Sequence, residues 1–120
     1  MEAEKLIINS RDELLRMDTS KIVYFEADGN YTSIIMTNNH KFSLCTNLSN
    51  MEKMLGERLN KQHTFVRLGK SFIINLDYVS QVSVLRKRLV LTDFTTCSYI
   101  LDVSKEALKK LKDIIVKIKI

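Results

Sequence analysis

The chain has 120 residues and a mass of 13.9 kDa, which is enough for one domain with its own core and too short for two domains of ordinary size. Its composition, 45% apolar and 28% charged, is typical of a soluble globular protein and excludes a disordered tail. No apolar run approaches the roughly 18 residues of a membrane span, so we expect a single domain over residues 1–120, located in the cytoplasm. The formal net charge of +5 favours an acidic partner, either nucleic acid or an anionic membrane.

The first part of the chain is predicted to form short strands. Their ranges are 5–9, 13–17, 21–27, 31–36 and 41–45. Asp28-Gly29 follows the third strand and tolerates the positive φ of a tight hairpin turn, and Asn38-Asn39 marks the next turn. The third, fourth and fifth strands are therefore predicted to form an antiparallel meander.

The pattern then changes to that of a helix, which we predict over residues 49–60. Apolar residues recur there at helical spacing, at Met51, Met54, Leu55 and Leu59. Ser49, followed three residues later by Glu52, matches the capping box that begins many helices. The sequence therefore predicts that Ser49 caps this helix.

Strands resume in the second part of the chain, and a helix ends it. The predicted strands are 64–68, 72–76, 79–85, 88–92 and 98–103, with a basic hairpin tip at 85–88 and a turn at 93–96. Ser104 is predicted to cap the C-terminal helix, which has an apolar stripe opposite a lysine-rich face. The predicted fold class is mostly β with minor α: antiparallel sheets with one internal helix and one C-terminal helix.

The tripeptide Gly69-Lys70-Ser71 is similar to the end of a phosphate-binding loop of nucleotide hydrolases. Such a loop has an earlier glycine at the position that Thr64 occupies here. It also opens a helix, whereas residues 72–74 are β-branched and aromatic and predict a strand. Both departures argue against nucleotide hydrolysis.

The histidines and cysteines provide no catalytic or metal-binding pattern. His40 and His63 are predicted on polar loops, and neither is grouped with Cys45 or Cys97. Nucleophilic catalysis needs a base close to the nucleophile, and a metal site needs ligands at regular spacing. The two separate cysteines predict neither a disulfide scaffold nor a zinc site. We therefore expect no enzyme activity, no metal and no cofactor.

Cations and small polar residues recur at the predicted strand junctions. They are Asn30, Thr32, Arg67, Lys70, Ser71, Arg86, Lys87, Arg88, Ser104 and Lys105. Lysine and arginine neutralise phosphates, and serine, asparagine and helix N-terminal amides add hydrogen bonds. Loops of this kind at one edge of stacked sheets would follow a DNA backbone or enter its grooves; the alternative is a solvated basic surface. A helix-turn-helix is not predicted, because strands flank the internal helix on both sides.

Three ordered motifs over nearly the whole chain resemble the LytTR domain, a DNA-binding module of bacterial response regulators and some stand-alone regulators. They are IVYFEADGNYTSI at 22–34, FVRLGKSFIINLDYV at 65–79 and ILDVSKEALKKL at 100–111. The resemblance implies an elongated fold of small stacked antiparallel sheets. It also implies that loops, rather than a recognition helix, enter successive major grooves on one side of the duplex.

The resemblance also implies where the DNA contacts lie. The matching loops are Asn30-Tyr31-Thr32, Gly69-Lys70-Ser71 and Ser104-Lys105. The middle motif of the family usually has histidine followed by arginine or asparagine, where this chain has Gly69 and Lys70. Because lysine approaches a guanine edge as a point donor and lacks the fork of arginine, sequence preference transfers least well.

The resulting hypothesis is a transcription regulator that binds double-stranded DNA, with two molecules on paired direct repeats and no membrane partner. The alternative is a protein-interaction or antagonist module of the same fold that has lost specific DNA binding.

Arg67 also has a second possible role, in which a carboxylate holds it within a strand. No receiver domain fits before the first motif, so we expect either a stand-alone regulator or part of a longer one with an unidentified sensor or receiver partner.

Overall fold

The computed structural model describes residues 5–59 and 64–118, which form ten β-strands and two α-helices. The strands are β1 Lys5–Asn9, β2 Leu14–Asp18, β3 Ile22–Asp28, β4 Tyr31–Met36, β5 Lys41–Leu44, β6 Phe65–Leu68, β7 Phe72–Asn75, β8 Val79–Ser83, β9 Arg88–Thr92 and β10 Ser98–Asp102. The helices are α1 Leu48–Leu59 and α2 Lys105–Ile118. The predicted mostly-β fold with two helices is confirmed. The predicted end of the internal helix at residue 60 and the loop position of His63 lie outside the described residues.

The strands form three antiparallel sheets. The central sheet has the order β5-β4-β3-β7-β6, and the two others have the orders β10-β9-β8 and β1-β2. The predicted meander of the third, fourth and fifth strands is confirmed, since β4 lies between β3 and β5. Across its principal axes the molecule measures 44 × 36 × 27 Å.

The central sheet is covered on both faces, and β3 contributes to both cores. Ile22 and Phe25 pack with α1 and the β1-β2 hairpin, whereas Val23 and Tyr24 pack with α2 and the β8-β9-β10 sheet. All four side chains are buried, which explains why the first four residues of β3 are apolar without alternation. Burial of each large apolar side chain stabilises the fold by roughly 1.5 to 3 kcal/mol.

The two helices close these cores. Leu48, Met51 and Leu55 of α1 are buried in the first core, and Leu108 and Leu111 of α2 are buried in the second. The helical spacing of these residues is therefore explained by packing against the sheet. In the described ranges, neither helix combines the length and the apolar character needed to cross a membrane.

The start of α1 differs from the prediction. The side-chain oxygen of Asn47 accepts a hydrogen bond from the backbone amide of Asn50 at 2.8 Å, and the Asn47 carbonyl accepts from Met51 at 3.1 Å. Asn47 is therefore the cap, and the predicted capping box at Ser49 is wrong. Ser49 lies inside the helix, and the Glu52 carboxylate bonds to Arg67 instead of to the helix start.

The turn between β9 and β10 is organised by one carboxylate. Asp93 accepts hydrogen bonds from the side chain of Thr96 and from the backbone amides of Thr95, Thr96 and Cys97. The hydroxyl bond to Thr96 and these amide bonds together hold the pKa of Asp93 well below its usual value of 3.8. The predicted turn at residues 93–96 is therefore present.

Candidate nucleic-acid interface

The first predicted DNA-binding loop is the tight hairpin between β3 and β4. Asp28 pairs with Tyr31, and Gly29 adopts a φ of +61°, the conformation for which glycine was expected. Asn30 is exposed at the tip, and half of the Tyr31 side chain is accessible to solvent (50%). Both side chains are therefore available to a ligand.

Thr32 differs from its two neighbours in this loop. Its side chain is fully buried (0% exposed), and its hydroxyl donates to the carbonyl oxygen of Thr46 at 2.8 Å. The bond ties β4 to the segment that leads into α1. This corrects the predicted role of Thr32, because the residue holds the fold together and does not face solvent.

The second loop, residues 69–71, joins β6 to β7 and lies directly beside the first. Leu68 pairs with Phe72 at its base, and Gly69 adopts a φ of +60°. Lys70 and Ser71 are exposed. The Ser71 carbonyl oxygen accepts a hydrogen bond at 2.9 Å from the amide of Ala27, which lies one residue before the first hairpin. The two loops are therefore neighbours on one edge of the central sheet.

Arg67 points back towards α1 from β6. Its Nη1 donates to Glu52 Oε1 at 3.0 Å and to Ser49 Oγ at 3.4 Å, and its Nε donates to the Gly69 carbonyl at 2.9 Å. The side chain is 25% exposed. Of the two roles considered for Arg67, the structure therefore contains the one in which a carboxylate holds the guanidinium.

The third loop is the start of α2, and it lies across a small cavity from the second. Ser104 caps the helix as predicted, since its Oγ accepts from the Ala107 amide at 3.3 Å. The cavity, of about 190 Å³, is lined by Leu68, Gly69, Lys70, Ser71, Phe72, Asp102, Val103, Ser104 and Ala107. The structure thus places Lys70 and Ser71 next to the N-terminus of α2, with Lys105 as the first residue of the helix.

The basic turn between β8 and β9 completes this edge. Lys87 adopts a φ of +55°, and its carbonyl oxygen accepts from the Val103 amide at 3.0 Å. A second cavity, of about 170 Å³, is lined by Lys87, Ser104, Lys105 and Glu106. Arg86 is exposed in the same turn, but among the described residues it lines neither cavity. The turn therefore brings Lys87, rather than Arg86, to the start of α2.

Among the described residues, three lysines on this edge have unpaired side chains. The side chains of Lys70, Lys87 and Lys105 are exposed and make no hydrogen bond or ion pair within the described parts of the chain. Two carboxylates that sequence reasoning missed, Asp102 and Glu106, line the same cavities. Both lie two residues from Ser104 in the sequence, so their closeness to the predicted helix cap could have indicated that they belong to this edge.

The described histidine and cysteines lie outside the cavities of this edge. Within residues 5–59 and 64–118, no group of three or more histidine, cysteine, aspartate or glutamate side chains is arranged to hold a metal ion. Cys45 is exposed and Cys97 is buried, and burial raises the pKa of the Cys97 thiol. His40 lines a separate groove of about 430 Å³, formed in part by the 37–38 and 93–96 turns.

Comparison with known proteins identifies the family. Residues 12–116 match the family described as the LytTr DNA-binding domain. The chain belongs to this family. The LytTR domain is a DNA-binding domain of regulators.

Among solved structures, this LytTR domain is similar to the LytTr DNA-binding domain of a protein described as a methyl-accepting/DNA response regulator from Bacillus cereus. The two share 16% sequence identity with a TM-score of 0.64, and the match covers 96% of this chain and 98% of the other. At this identity the similarity establishes the fold. A search of curated proteins finds no match.

Proposed function

We propose that this LytTR domain binds double-stranded DNA sequence-specifically, as part of a transcription regulator. The observation that carries the proposal is the meeting of three loops, from distant parts of the chain, on one edge of the fold. Each loop presents exposed polar or cationic side chains, and a backbone bond or shared cavity joins each to the next. A continuous edge of this kind fits one side of a duplex.

Phosphate contacts are assigned to the start of α2 and the β8-β9 turn. Lys87 and Lys105 provide positive charge on either side of the second cavity. Ser104 accepts from two first-turn amides of α2, that of Ala107 through its Oγ and that of Leu108 through its carbonyl oxygen. The amides of Lys105 and Glu106 have no acceptor inside the helix. An anion at a helix N-terminus is stabilised by such amides and by the helix dipole. These groups fix the position of the protein on the backbone and do not distinguish sequences.

Base contacts are assigned to the two hairpin loops. Lys70 lies at the tip of the second loop and reaches guanine O6 and N7 as a single donor, and Asn30 at the tip of the first can pair with adenine N6 and N7. Tyr31 and Ser71 extend the same surface with hydroxyl groups. From the family resemblance we infer that these loops enter successive major grooves on one side of the duplex. On paired direct repeats, two copies would bind side by side.

The proposal is tested by selecting bound sequences from a pool of random duplexes, followed by titration of the selected and scrambled duplexes at several salt concentrations. We expect a selected repeat sequence and a log-log salt slope of about −0.9 for each phosphate neutralised. A slope near zero with no selected sequence would refute DNA binding and favour the protein-interaction module of the same fold.

A further inference from the structure

The loop that carries Lys70 is held at both ends through its carbonyl groups. The Ser71 carbonyl accepts from the backbone of Ala27, and the Gly69 carbonyl accepts from the Nε of Arg67, each at 2.9 Å. The first bond joins two backbones and does not depend on either side chain. The second depends on where the Arg67 guanidinium lies, so one side chain controls one end of the loop.

The guanidinium is in turn positioned by α1. Arg67 Nη1 donates to Glu52 Oε1 at 3.0 Å and to Ser49 Oγ at 3.4 Å. Leu48, Met51 and Leu55 anchor this helix in the first core, so the carboxylate is carried by a rigid element. A chain of contacts therefore runs from α1 through Arg67 to the backbone of the loop. It ends next to Lys70, the residue assigned above to base contacts.

We propose that Glu52 and Arg67 are positioning residues that hold the Lys70 loop in its DNA-binding conformation. This inference rests on the proposed function. A loop that is already held in its bound conformation loses less conformational entropy on binding, and specific affinity rises accordingly. Non-specific binding depends mainly on the number of neutralised phosphates and does not require one loop conformation. The contacts therefore increase the ratio of specific to non-specific affinity.

The test compares Glu52→Gln with Glu52→Ala. Both variants remove the same negative charge, so electrostatics alone would make them bind every duplex equally well and slightly more tightly than wild type. Glutamine keeps an oxygen that accepts from Arg67, whereas alanine has none. We expect specific affinity to fall in the order wild type, Gln, Ala, with a loss of about two- to fivefold for Ala because the pair is exposed. Non-specific affinity should not fall.

Two further variants complete the comparison. Asp113→Asn on the exposed surface of α2 removes the same charge far from these contacts and should lower neither affinity. Arg67→Lys keeps the positive charge but has no Nε donor for the Gly69 carbonyl, so we expect a loss of specific affinity of about tenfold. Thermal melting verifies that each variant is folded.

A measurement without DNA separates positioning from a contact with the duplex. Backbone ¹⁵N relaxation order parameters of Lys70 and Ser71 in the free protein should decrease in the same order, from wild type through Glu52→Gln to Glu52→Ala. Unchanged order parameters, together with equal specificity in Glu52→Ala, would overturn this inference while leaving DNA binding intact. Absence of DNA binding by the wild-type protein would overturn the proposed function, and this inference with it.

Discussion

The backbone amide of Ala27 donates to the carbonyl oxygen of Ser71 over 2.9 Å. This bond joins the end of β3 to the loop between β6 and β7, beyond the last paired residues of the two strands, Glu26 and Phe72. A hydrogen bond between backbone groups therefore joins the first and second loops of the candidate interface. A substitution on the surface of one loop can leave the arrangement of both intact, which makes single side chains in this interface testable.

Lys70→Ala should weaken specific DNA binding by roughly 1 to 3 kcal/mol and change discrimination between sites, if the lysine contacts a base. If it contacts only phosphate, affinity should fall equally for all duplexes. Titration of selected and scrambled duplexes distinguishes these results. Lys109→Ala, which removes an exposed lysine from α2, is the matched control. If both Lys70→Ala and Lys109→Ala bind DNA with the affinity of the wild-type protein, Lys70 is not part of the interface.

Thr32→Val should lower the free energy of unfolding by about 1 to 2 kcal/mol, since it leaves the partly buried Thr46 carbonyl without its donor. Thr32→Ser keeps the hydroxyl that makes this bond, so its free energy of unfolding should fall less than that of Thr32→Val. Urea denaturation measures both changes. The DNA affinity of the folded Val variant should equal that of wild type, because the side chain does not reach the surface. A specific loss of affinity without loss of stability would restore Thr32 as a contact.

Gly69→Ala should cost about 1 to 2 kcal/mol of stability, because an alanine at a φ of +60° is strained even though no atom lies within 4 Å of the added Cβ. Gly69→Asn should cost less, since asparagine tolerates this conformation better. Gly29→Ala provides a matched comparison with a φ of +61° and equally open surroundings. Chemical denaturation should give similar losses for the two alanine variants, and a much larger loss at one position would indicate a contact not explained by backbone strain.

Asp93→Asn should destabilise the protein at neutral pH more than in acid. The folded-state pKa of Asp93 is lowered from 3.8, so the stability that its carboxylate contributes is present above about pH 4 and lost as the pH falls through the folded-state value. The difference in melting temperature between wild type and variant should therefore narrow on acidification. A difference that does not change between pH 7 and pH 3 would contradict this role. Asp113→Asn, which replaces an exposed carboxylate on α2, is the matched control.

Strand and turn patterns predicted most of the fold because they depend on neighbouring residues. Apolar and β-branched runs marked the strands, and Gly29 marked a turn whose positive φ is a local requirement. The start of α1 was predicted wrongly because Asn47 and Ser49 are both good caps. Asn47 is the cap in the structure, and the Glu52 carboxylate that a capping box at Ser49 would use pairs with Arg67, from a strand distant in sequence.

The candidate site was predicted only in part, because only some of its features depend on neighbouring residues in the sequence. Exposed loop residues such as Asn30 and Lys70 follow from their places between strands. The burial of Thr32 does not, since it arises from the bond to Thr46 beyond the next strand. The carboxylate of Asp102 was also missed, because the cavity it lines exists only where α2 meets the 69–71 loop.

By itself, the sequence determined the order of strands and helices, the hairpin turns and the cations placed at their tips. These features follow from backbone sterics, side-chain patterning and local charge. Only the tertiary structure decided that loops at residues 28–31, 69–71 and 104–105 lie on one edge, and that Arg67 faces α1. Those outcomes depend on contacts between residues far apart in the chain, such as Ala27 with Ser71 and Arg67 with Glu52, which local patterns do not contain.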